Sequence, residues 1–312
     1  MFIVCGVAVV TMAMVRPFAN SDGPANAAEL GKQLFFDPIL SSDSSISCAS
    51  CHKPAFAFAD TSAVSRGVAD RPGTRNTPSA MNLRIQQIFF WDGRALSLEQ
   101  QALKPISNPV EMNLPIEEAV LRLKRSPAYS NYFRRLFNAE PDSVNLAKAI
   151  AAFERTLETS NSPFDNWKFY DDAKAVSDAV KRGFIVFSEK GKCTKCHFGS
   201  DFTQHEFRNI GLFDGKELND SGRILISGNA EDLGKFKTPG LRNIAMTAPY
   251  MHDGRFKTLK EVIEFYNETE KFVKYPINKD TALTKPLGLT EGEKADLEAF
   301  LISLTDQRFR NR

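Results

Sequence analysis

The feature that most constrains this chain is a short motif, Cys-x-x-Cys-His, that occurs twice. One copy ends in His52 and the other in His197. In such a motif the two thiols can add to the two vinyl groups of a haem, and the adjacent histidine can reach the iron as proximal ligand. The residues assigned to haem attachment are Cys48, Cys51, His52, Cys193, Cys196 and His197. The sequence therefore predicts two covalently bound c-type haems.

Zinc binding, disulfides or a redox Cys-x-x-Cys pair would use the same cysteines. A zinc site would need ligands from both clusters, which begin at positions 48 and 193. A single Cys-x-x-Cys followed by a chance histidine would look the same as one haem motif. Two complete copies use four of the five cysteines and two of the four histidines, and this favours haem over the alternatives.

The composition is that of an ordinary globular protein. The chain has 312 residues, of which 42% are hydrophobic and 25% are charged, and this excludes disordered, collagen-like and coiled-coil proteins. Forty Lys and Arg against 38 Asp and Glu give a net charge of +2. Because this balance leaves no large excess of positive charge to bind the phosphates of a nucleic acid, we expect no nucleic-acid partner. The length suggests two domains.

The N-terminus predicts export. Met1–Val15 is apolar, and small and polar residues follow as far as Ala28, which is typical of a signal segment over residues 1–28. Haem is attached covalently outside the bacterial cytoplasm, so we expect a periplasmic protein. The apolar run is shorter than the roughly 20 residues of a spanning helix. We therefore expect no stable membrane span, and both cleavage of the segment and its retention as an anchor stay open.

The chain contains an internal repeat. A helix-like segment that ends in Phe precedes each haem motif, Gly31–Phe35 before the first and Gly183–Phe187 before the second. Farther along each half, a Thr-Pro pair is followed thirteen positions later by Trp91 or by His252, and each of these two residues precedes Asp-Gly-Arg. A shared period of this kind predicts two copies of one supersecondary unit.

The fold class follows from the repeat and from the helix signals. Asn145–Leu157 predicts a long amphipathic helix joining the halves. Thr258 and Thr290 each open a capping box before a helix, and the helix after Thr290 is expected to be the last one. Alternation of Val, Ile and Thr is scarce, so no large sheet is expected. We predict a mostly α-helical protein with two cytochrome-c-like haem domains related by a pseudo-repeat, the N-terminal one over residues 29–160 and the C-terminal one over residues 161–312.

The motifs resemble those of the bacterial di-haem cytochrome c peroxidase and MauG family. The resemblance runs from about Gly31 to Leu304 and rests on CASCHKP, TRNTPSAMN, FFWDGRA with LEQQA after it, NPVEM, CTKCH, KTPGLRN and TAPYMHDGRF. It implies that the haem of the N-terminal domain reacts with hydrogen peroxide and that the haem of the C-terminal domain stores or relays electrons. It also implies one calcium ion between the domains.

The same resemblance gives roles to individual residues. Trp91 would relay charge between the haems, and Gln101 and Glu111 would lie over the peroxide-binding haem. Glu111 would act as acid and base there, with Gln101 as its hydrogen-bonding partner. The calcium ligands would be Asn76, Thr247 and Pro249. The simpler alternatives are a core position for Trp91 and a solvated loop position for Glu111.

The repeat predicts which haem has an open sixth position. Tyr266 lies fourteen positions after His252, and Pro105 lies fourteen positions after Trp91. By pseudo-symmetry both side chains should point to the sixth position of their own haem. A tyrosine can bind haem iron, whereas proline cannot. We therefore expect the C-terminal haem to be held by His197 and Tyr266, and the N-terminal haem to be five-coordinate.

Two departures from most of the family favour its MauG branch. Classical members carry Met at the position of Tyr266 and a His in the loop after the first motif, whereas no His lies between His52 and His197 here. The alternative is that Tyr266 only packs beside Phe265. The rival axial ligands are then His252, Met246 and Met251.

These features together predict a function. The chain would use hydrogen peroxide to form a high-valent di-haem state, and would then oxidise a Trp or Tyr side chain of a co-secreted protein by long-range electron transfer. One alternative is a di-haem cytochrome c peroxidase that receives electrons from a small cytochrome or copper protein. Another is a non-enzymatic carrier, which the open haem disfavours. The MauG branch has a surface Trp six residues before the second proximal histidine, where this chain has Gly191.

Overall fold

The computed structural model describes residues 23–310, so residues 1–22 of the expected export segment lie outside the described residues. The described part is mostly helical, as predicted, and has one two-stranded antiparallel sheet. Its α-helices are α1 Ala27–Phe36, α2 Cys48–Cys51, α3 Leu98–Ser107, α4 Ile116–Arg125, α5 Pro127–Phe137, α6 Ser143–Glu154, α7 Pro163–Phe169, α8 Asp178–Ser188, α9 Ile224–Ser227, α10 Leu259–Asn267, α11 Glu291–Ser303 and α12 Gln307–Arg310. The strands are β1 Phe207–Arg208 and β2 Phe236–Lys237.

The N-terminal half is built on a crossing of α1 and α6. Gly31 makes the close approach possible, because a Cβ atom at this position would lie 1.8 Å from the carbonyl oxygen of Ala149. One turn farther along each helix, the rings of Phe35 and Phe153 pack with their centroids 5.2 Å apart. The missing side chain at Gly31 thus sets the distance between the two helices.

The C-terminal half repeats this arrangement with α8 and α11. A Cβ atom at Gly183 would lie 1.9 Å from the carbonyl oxygen of Asp296. One turn farther along, the ring centroids of Phe187 and Phe300 are 5.0 Å apart. In both halves the Phe follows the glycine, or the contacted carbonyl, by four residues. The predicted fold class, two helical units related by a pseudo-repeat, is therefore confirmed.

The two Asp-Gly-Arg segments form matching turns. Gly93 and Gly254 have φ angles of +74° and +67°, a region that glycine adopts without steric cost. The chain closes each turn by an antiparallel bridge, Phe89 to Ala95 in the first and Tyr250 to Phe256 in the second. Each turn leads into a helix, α3 in the first half and α10 in the second.

Helix starts agree with the sequence, and two other expectations need correction. Both predicted capping boxes form, at the N-termini of α10 and α11. The helix expected over residues 145–157 runs over Ser143–Glu154 instead. It packs on α1 within the N-terminal half rather than joining the halves. Its amphipathic character is as expected, because Val144 and Lys148 are exposed on one side and the buried residues lie on the others. The helix that begins after Thr290 is not the last one, because α12 follows it.

Two apolar cores follow the repeat. The first gathers side chains of α1, α3, α4, α5 and α6, and the second gathers those of α7, α8, α10 and α11. Phe309 of α12 is 4% exposed and belongs to the first core, so α12 returns to the N-terminal half. The domain boundary between residues 160 and 161 stays a prediction. Among the helices of residues 23–310, none is long and apolar enough to cross a membrane.

Candidate active site

Both haem motifs face one continuous cavity between the halves, with a volume of about 720 Å³. Its wall brings together the attachment residues of both motifs and most of the other candidates from the sequence. The predicted site residues on this wall are Cys48, Cys51, His52, Asn76, Trp91, Gln101, Pro105, Glu111, Cys193, Cys196, His197, Thr247, Pro249 and Tyr266. Residues that lie far apart in the sequence are therefore close together in the fold.

The two proximal histidines are oriented in the same way. His52 Nδ1 lies 3.0 Å from the carbonyl oxygen of Phe58, and His197 Nδ1 lies 2.9 Å from that of Phe202. An Nδ1–H that donates to a carbonyl fixes the tautomer and leaves Nε2 free to bind a metal. Burial lowers the pKa of both imidazoles, so both are neutral, as a ligand must be.

The cysteines suit haem attachment better than zinc. All four thiols of the two motifs are free, and burial raises the pKa of Cys48 and of Cys193 to about 12. These thiols therefore stay protonated at neutral pH. Within residues 23–310, no group of three or more His, Cys, Asp or Glu side chains is placed to hold a metal ion. The donor set thus fits two haems, each held by two thioether bonds and one imidazole.

Glu111 lies on the N-terminal side of the cavity, in the loop after α3. Its Oε1 accepts a hydrogen bond of 2.7 Å from Asn108 Nδ2. Burial raises the pKa of this carboxyl, and the bond from Asn108 opposes part of that rise. The residue is therefore not a solvated loop side chain but a shielded carboxyl whose pKa lies nearer to neutrality than usual. Such a group can both take up and release a proton.

Gln101 and Pro105 belong to α3, on the same wall as Glu111. The neighbouring Gln100 turns back along the helix, where its Oε1 accepts from the Leu96 N–H at 3.0 Å, so only Gln101 of this pair reaches the cavity. The carbonyl oxygen of Pro105 accepts from the Met112 N–H at 3.1 Å. This bond ties the loop that carries Glu111 to the end of α3.

Tyr266 lies on the opposite, C-terminal side of the cavity, on α10. Its ring packs against Phe265 with a centroid distance of 5.3 Å. Burial raises the pKa of the phenol, and the nearby thiols of Cys196 and Cys193 add to the rise. A phenolate would therefore form here only next to a strong positive charge such as ferric iron. Tyr266 lines the cavity, and its role as an iron ligand stays a prediction.

The rival axial ligands differ in their surroundings. The His252 ring is 5% exposed and stacks on Phe236 with the centroids 3.7 Å apart, and burial lowers its pKa to about 4. Met251 lines the cavity, whereas Met246 packs against the first core. Stacking occupies one face of His252, which agrees with a structural or relay position equivalent to that of Trp91.

Trp91 is bonded to both halves. Its Nε1 donates to the carbonyl oxygen of Asn76 at 2.8 Å, and its own carbonyl accepts from the Lys237 N–H at 2.7 Å. The N–H of Asn76 in turn donates to the carbonyl oxygen of His252 at 2.7 Å. Trp91 and its repeat equivalent His252 are therefore linked through a single residue, and Trp91 faces the cavity instead of a closed core.

One of the predicted calcium ligands, Asn76, belongs to this link. Asn76 Nδ2 donates to the carbonyl oxygens of Ser62 and Ala63 at 3.3 and 3.2 Å, which turns its Oδ1 away from them. Thr247 and Pro249 follow on the same cavity wall. Oxygen donors of this kind are those that calcium prefers, so the residues fit the ion without establishing it.

Two cations of the cavity were missed by sequence reasoning. Arg75 binds Asp92 at 2.6 Å and Asp220 at 2.7 Å, and so joins the halves. Lys237 donates from Nζ to Gln86 Oε1 at 3.1 Å, and burial lowers its pKa to about 8. Arg75 lies in the motif TRNTPSAMN and Lys237 in the motif KTPGLRN. Their partners lie elsewhere in the sequence, so the motifs alone do not indicate these contacts. Buried positive charges suit the carboxylates that a haem carries.

Glu154 was missed as well. It is 5% exposed on α6 and lines the cavity, and its Oε2 has no hydrogen-bond partner. Burial raises its pKa to about 8, so the carboxyl is protonated at neutral pH. The signal in the sequence was a Glu that directly follows the apolar run 149–153 of the helix.

Known proteins share this arrangement. Residues 25–174 match the family model described as di-haem cytochrome c peroxidase. The methylamine utilization protein MauG of Methylorubrum extorquens is 40% identical over 296 residues, which cover 93% of this chain and 80% of that protein. The chain belongs to the di-haem cytochrome c peroxidase and MauG family. It is therefore a haem-dependent oxidoreductase of a family of exported c-type cytochromes, with two haems and with hydrogen peroxide as substrate.

Other members of the di-haem cytochrome c peroxidase and MauG family extend the match. Cytochrome c551 peroxidase of Nitrosomonas europaea is 36% identical over 269 residues, which cover 84% of this chain and 80% of that protein. A MauG-like protein associated with microbial copper homeostasis has a crystal structure that matches with a TM-score of 0.81 and 30% identity, over 95% of this chain and 96% of that one. These relatives include both MauG and peroxidases, so they do not distinguish the two reactions.

Proposed function

We propose that this protein is a MauG-like enzyme that uses hydrogen peroxide to oxidise a Trp or Tyr side chain of a partner protein by long-range electron transfer. The observation that carries the proposal is the pair of Pro105 and Tyr266, which occupy equivalent places in the repeat and line the same cavity. Proline cannot bind iron, so the N-terminal site keeps a free position for peroxide. No His between His52 and His197 is present to block it.

The chain's own residues supply the proton chemistry. Once bound, the haems supply cleavage of the peroxide bond and storage of the two oxidising equivalents. Glu111 takes the proton of the inner peroxide oxygen and gives it to the outer oxygen, which leaves as water. The hydrogen bond from Asn108 holds the Glu111 carboxyl in place, and the Gln101 amide orients the peroxide. Trp91, bonded to both halves, carries charge between the two sites.

The second candidate is an ordinary di-haem peroxidase that receives electrons from a small cytochrome or copper protein. Its support is the 36% identity to a cytochrome c551 peroxidase. A non-enzymatic electron carrier has less support. Electron transfer alone requires neither a shielded carboxyl that can exchange protons nor a vacant coordination position at the haem iron. Pro105 and Glu111 favour an enzyme, and the Tyr in place of Met at position 266 favours the MauG-like reaction.

Rapid mixing of the fully oxidised protein with peroxide tests the proposal. We expect the haem absorption spectrum to change at once and without added reductant, because no side chain blocks the N-terminal site. The oxidised state should then decay by taking electrons from an exogenous Trp-bearing or Tyr-bearing protein. If no change occurs until one electron is supplied, and reduced cytochrome c is then turned over rapidly, the protein is an ordinary peroxidase.

Replacement of Tyr266 by Phe tests the assignment of the second haem. We expect electron paramagnetic resonance of the resting protein to show one high-spin and one low-spin ferric haem, and Tyr266→Phe to alter only the low-spin signal. Phe keeps the ring packing on Phe265 and removes only the oxygen. Met251→Leu is the matched control and should leave both signals unchanged. A low-spin signal that survives Tyr266→Phe would assign the ligand to His252 or to a Met.

Three further features belong to this proposal. The mature protein would act in the periplasm, after use of the export segment over residues 1–28. The peroxide-reactive domain would span residues 29–160 and the electron-transfer domain residues 161–312. One calcium ion would be held by Asn76, Thr247 and Pro249, next to the Trp91 link, where it would keep the two halves in register.

A further inference from the structure

The chain has two tryptophans, and they lie in different places. Trp91 faces the cavity between the halves. Trp167 lies on α7 at the surface, where it is half-buried and packs against the second core. At position 191, close to the second haem motif, a Cβ atom would lie 2.7 Å from the carbonyl oxygen of Val186. A bulky side chain therefore has no room at Gly191 without a backbone shift.

A continuous series of aromatic rings joins the cavity to Trp167. Phe187 is 2% exposed and forms part of the cavity wall. Its ring centroid lies 5.0 Å from that of Phe300, which lies 5.5 Å from that of Phe184. Phe184 in turn lies 5.7 Å from Trp167, with the ring planes at 90°. Three ring contacts thus lead from the second haem site to a partly exposed indole.

A second branch reaches the same indole. It begins at Phe202, whose backbone carbonyl accepts a hydrogen bond from the proximal His197. The ring centroid of Phe202 lies 5.2 Å from that of Phe164. Phe164 lies 6.2 Å from Trp167. Both branches end at Trp167, and the phenylalanines between are not readily oxidised. They provide a packed medium for electron tunnelling, whereas the indole is the first side chain on the path that can lose an electron.

We propose that Trp167 is the residue through which electrons from the partner protein enter this enzyme. The inference rests on the proposed function. One electron passes from the indole, along the rings, to an oxidising equivalent held at the haems, and the indole N–H proton goes to solvent. The resulting radical takes one electron and one proton from a Trp or Tyr of the partner. Two such passages supply the two electrons that, with two protons, reduce one hydrogen peroxide to two waters.

Lys168 provides an independent test of the role of Trp167. Its Nζ lies 4.0 Å from the centroid of the Trp167 ring and 4.5 Å from that of Phe184. A cation over an aromatic face is attracted to the neutral ring and repels the positive charge that forms when the ring is oxidised. Lys168 therefore raises the potential at which Trp167 loses its electron. Its removal should make Trp167 easier to oxidise, which a purely structural role for Trp167 does not predict.

The test uses the di-haem protein, one equivalent of peroxide and no partner. We expect freeze-quench electron paramagnetic resonance to show a tryptophan radical, and peptide mass spectrometry to find added oxygen on Trp167. Trp167→Phe should abolish both and slow decay of the oxidised haem spectrum about tenfold. Lys168→Ala should increase the radical yield. Phe169→Leu, which removes a neighbouring side chain that is 61% exposed, is the control and should change neither.

The outcomes separate this inference from the function on which it rests. If the haem spectrum does not respond to peroxide, both the proposed function and the role of Trp167 are wrong. If the spectrum responds but oxygen is added to Tyr170 or to other residues and not to Trp167, only the role of Trp167 is wrong. The same holds if Trp167→Phe leaves the decay rate unchanged, because electrons then enter directly at the haem edge. Tyr170 is a fair competitor, since it is 67% exposed.

Discussion

Replacement of Glu111 by Gln is expected to slow the reaction of the oxidised protein with peroxide about 10²-fold or more, the usual effect of losing a general acid and base. Gln has nearly the same shape and can keep the contact with Asn108, but it cannot take the proton from peroxide. Stopped-flow absorbance of the haems at several peroxide concentrations gives the rate constant directly. The content of covalent haem, read by mass spectrometry, should stay at two per chain.

The pH dependence has a definite sign. Burial raises the pKa of Glu111 above its ordinary value of 4.5, and the reaction needs the carboxylate form to accept a proton. The rate constant should therefore fall as the pH drops through this raised pKa, which lies at higher pH than for an exposed Glu. Glu111→Gln should remove that acid limb, because no titrating group is left to take the proton.

Glu154 offers a matched control for this experiment. It is a second buried carboxyl on the wall of the same cavity, and its pKa of about 8 keeps it protonated at neutral pH. Glu154→Gln should change the rate less than tenfold, since a protonated carboxyl cannot serve as the base. If Glu154→Gln costs more than Glu111→Gln, the acid and base role belongs to Glu154.

Replacement of Gly31 by Ala is expected to destabilise the protein by about 3 kcal/mol, at the upper end of the cost of overpacking. The added Cβ would lie 1.8 Å from the backbone oxygen of Ala149. Backbone cannot rotate away as a side chain can, so α1 and α6 must separate and the packing of Phe35 on Phe153 is lost. The gain of about 1 kcal/mol in helix propensity does not offset this.

Urea unfolding of the di-haem protein measures the effect. Gly292→Ala is the control, since Gly292 lies in α11 with no atom within 4 Å of an added Cβ. That variant should be unchanged or more stable by up to about 1 kcal/mol. Gly183→Ala should behave like Gly31→Ala, because the two glycines are equivalent in the repeat. Equal midpoints for Gly31→Ala and Gly292→Ala would show that the crossing tolerates a side chain.

Local features of the fold were predictable from the sequence. The haem motifs, the Asp-Gly-Arg turns and the capping boxes each depend on residues a few positions apart, and the structure forms the turns and boxes where they were expected. The pseudo-repeat could be predicted for the same reason, since Gly31–Phe35 and Gly183–Phe187 have the same short spacing from Gly to Phe before the two motifs. The direction of Gln101, rather than Gln100, into the cavity was supplied by the family resemblance and not by local pattern.

Long-range features were not predictable. One partner of Arg75 is Asp220, 145 positions away, and nothing in the sequence indicates that these two residues pair. Glu154 would ordinarily be placed on the exposed face of a helix, but α6 is enclosed on most sides. The ring path to Trp167 depends on α7, α8 and α11 packing together. Each of these features is decided by tertiary contacts that no short window of sequence contains.

The return of α12 to the first core has a consequence for biosynthesis. Phe309 fills part of that core, so the first core is completed by a residue that lies far along the chain from the first haem motif. A chain that crosses a membrane from its N-terminus presents Cys48 long before Phe309 arrives. In a chain exported in this way, the first haem motif is accessible to the attachment machinery before α12 arrives to complete the first core.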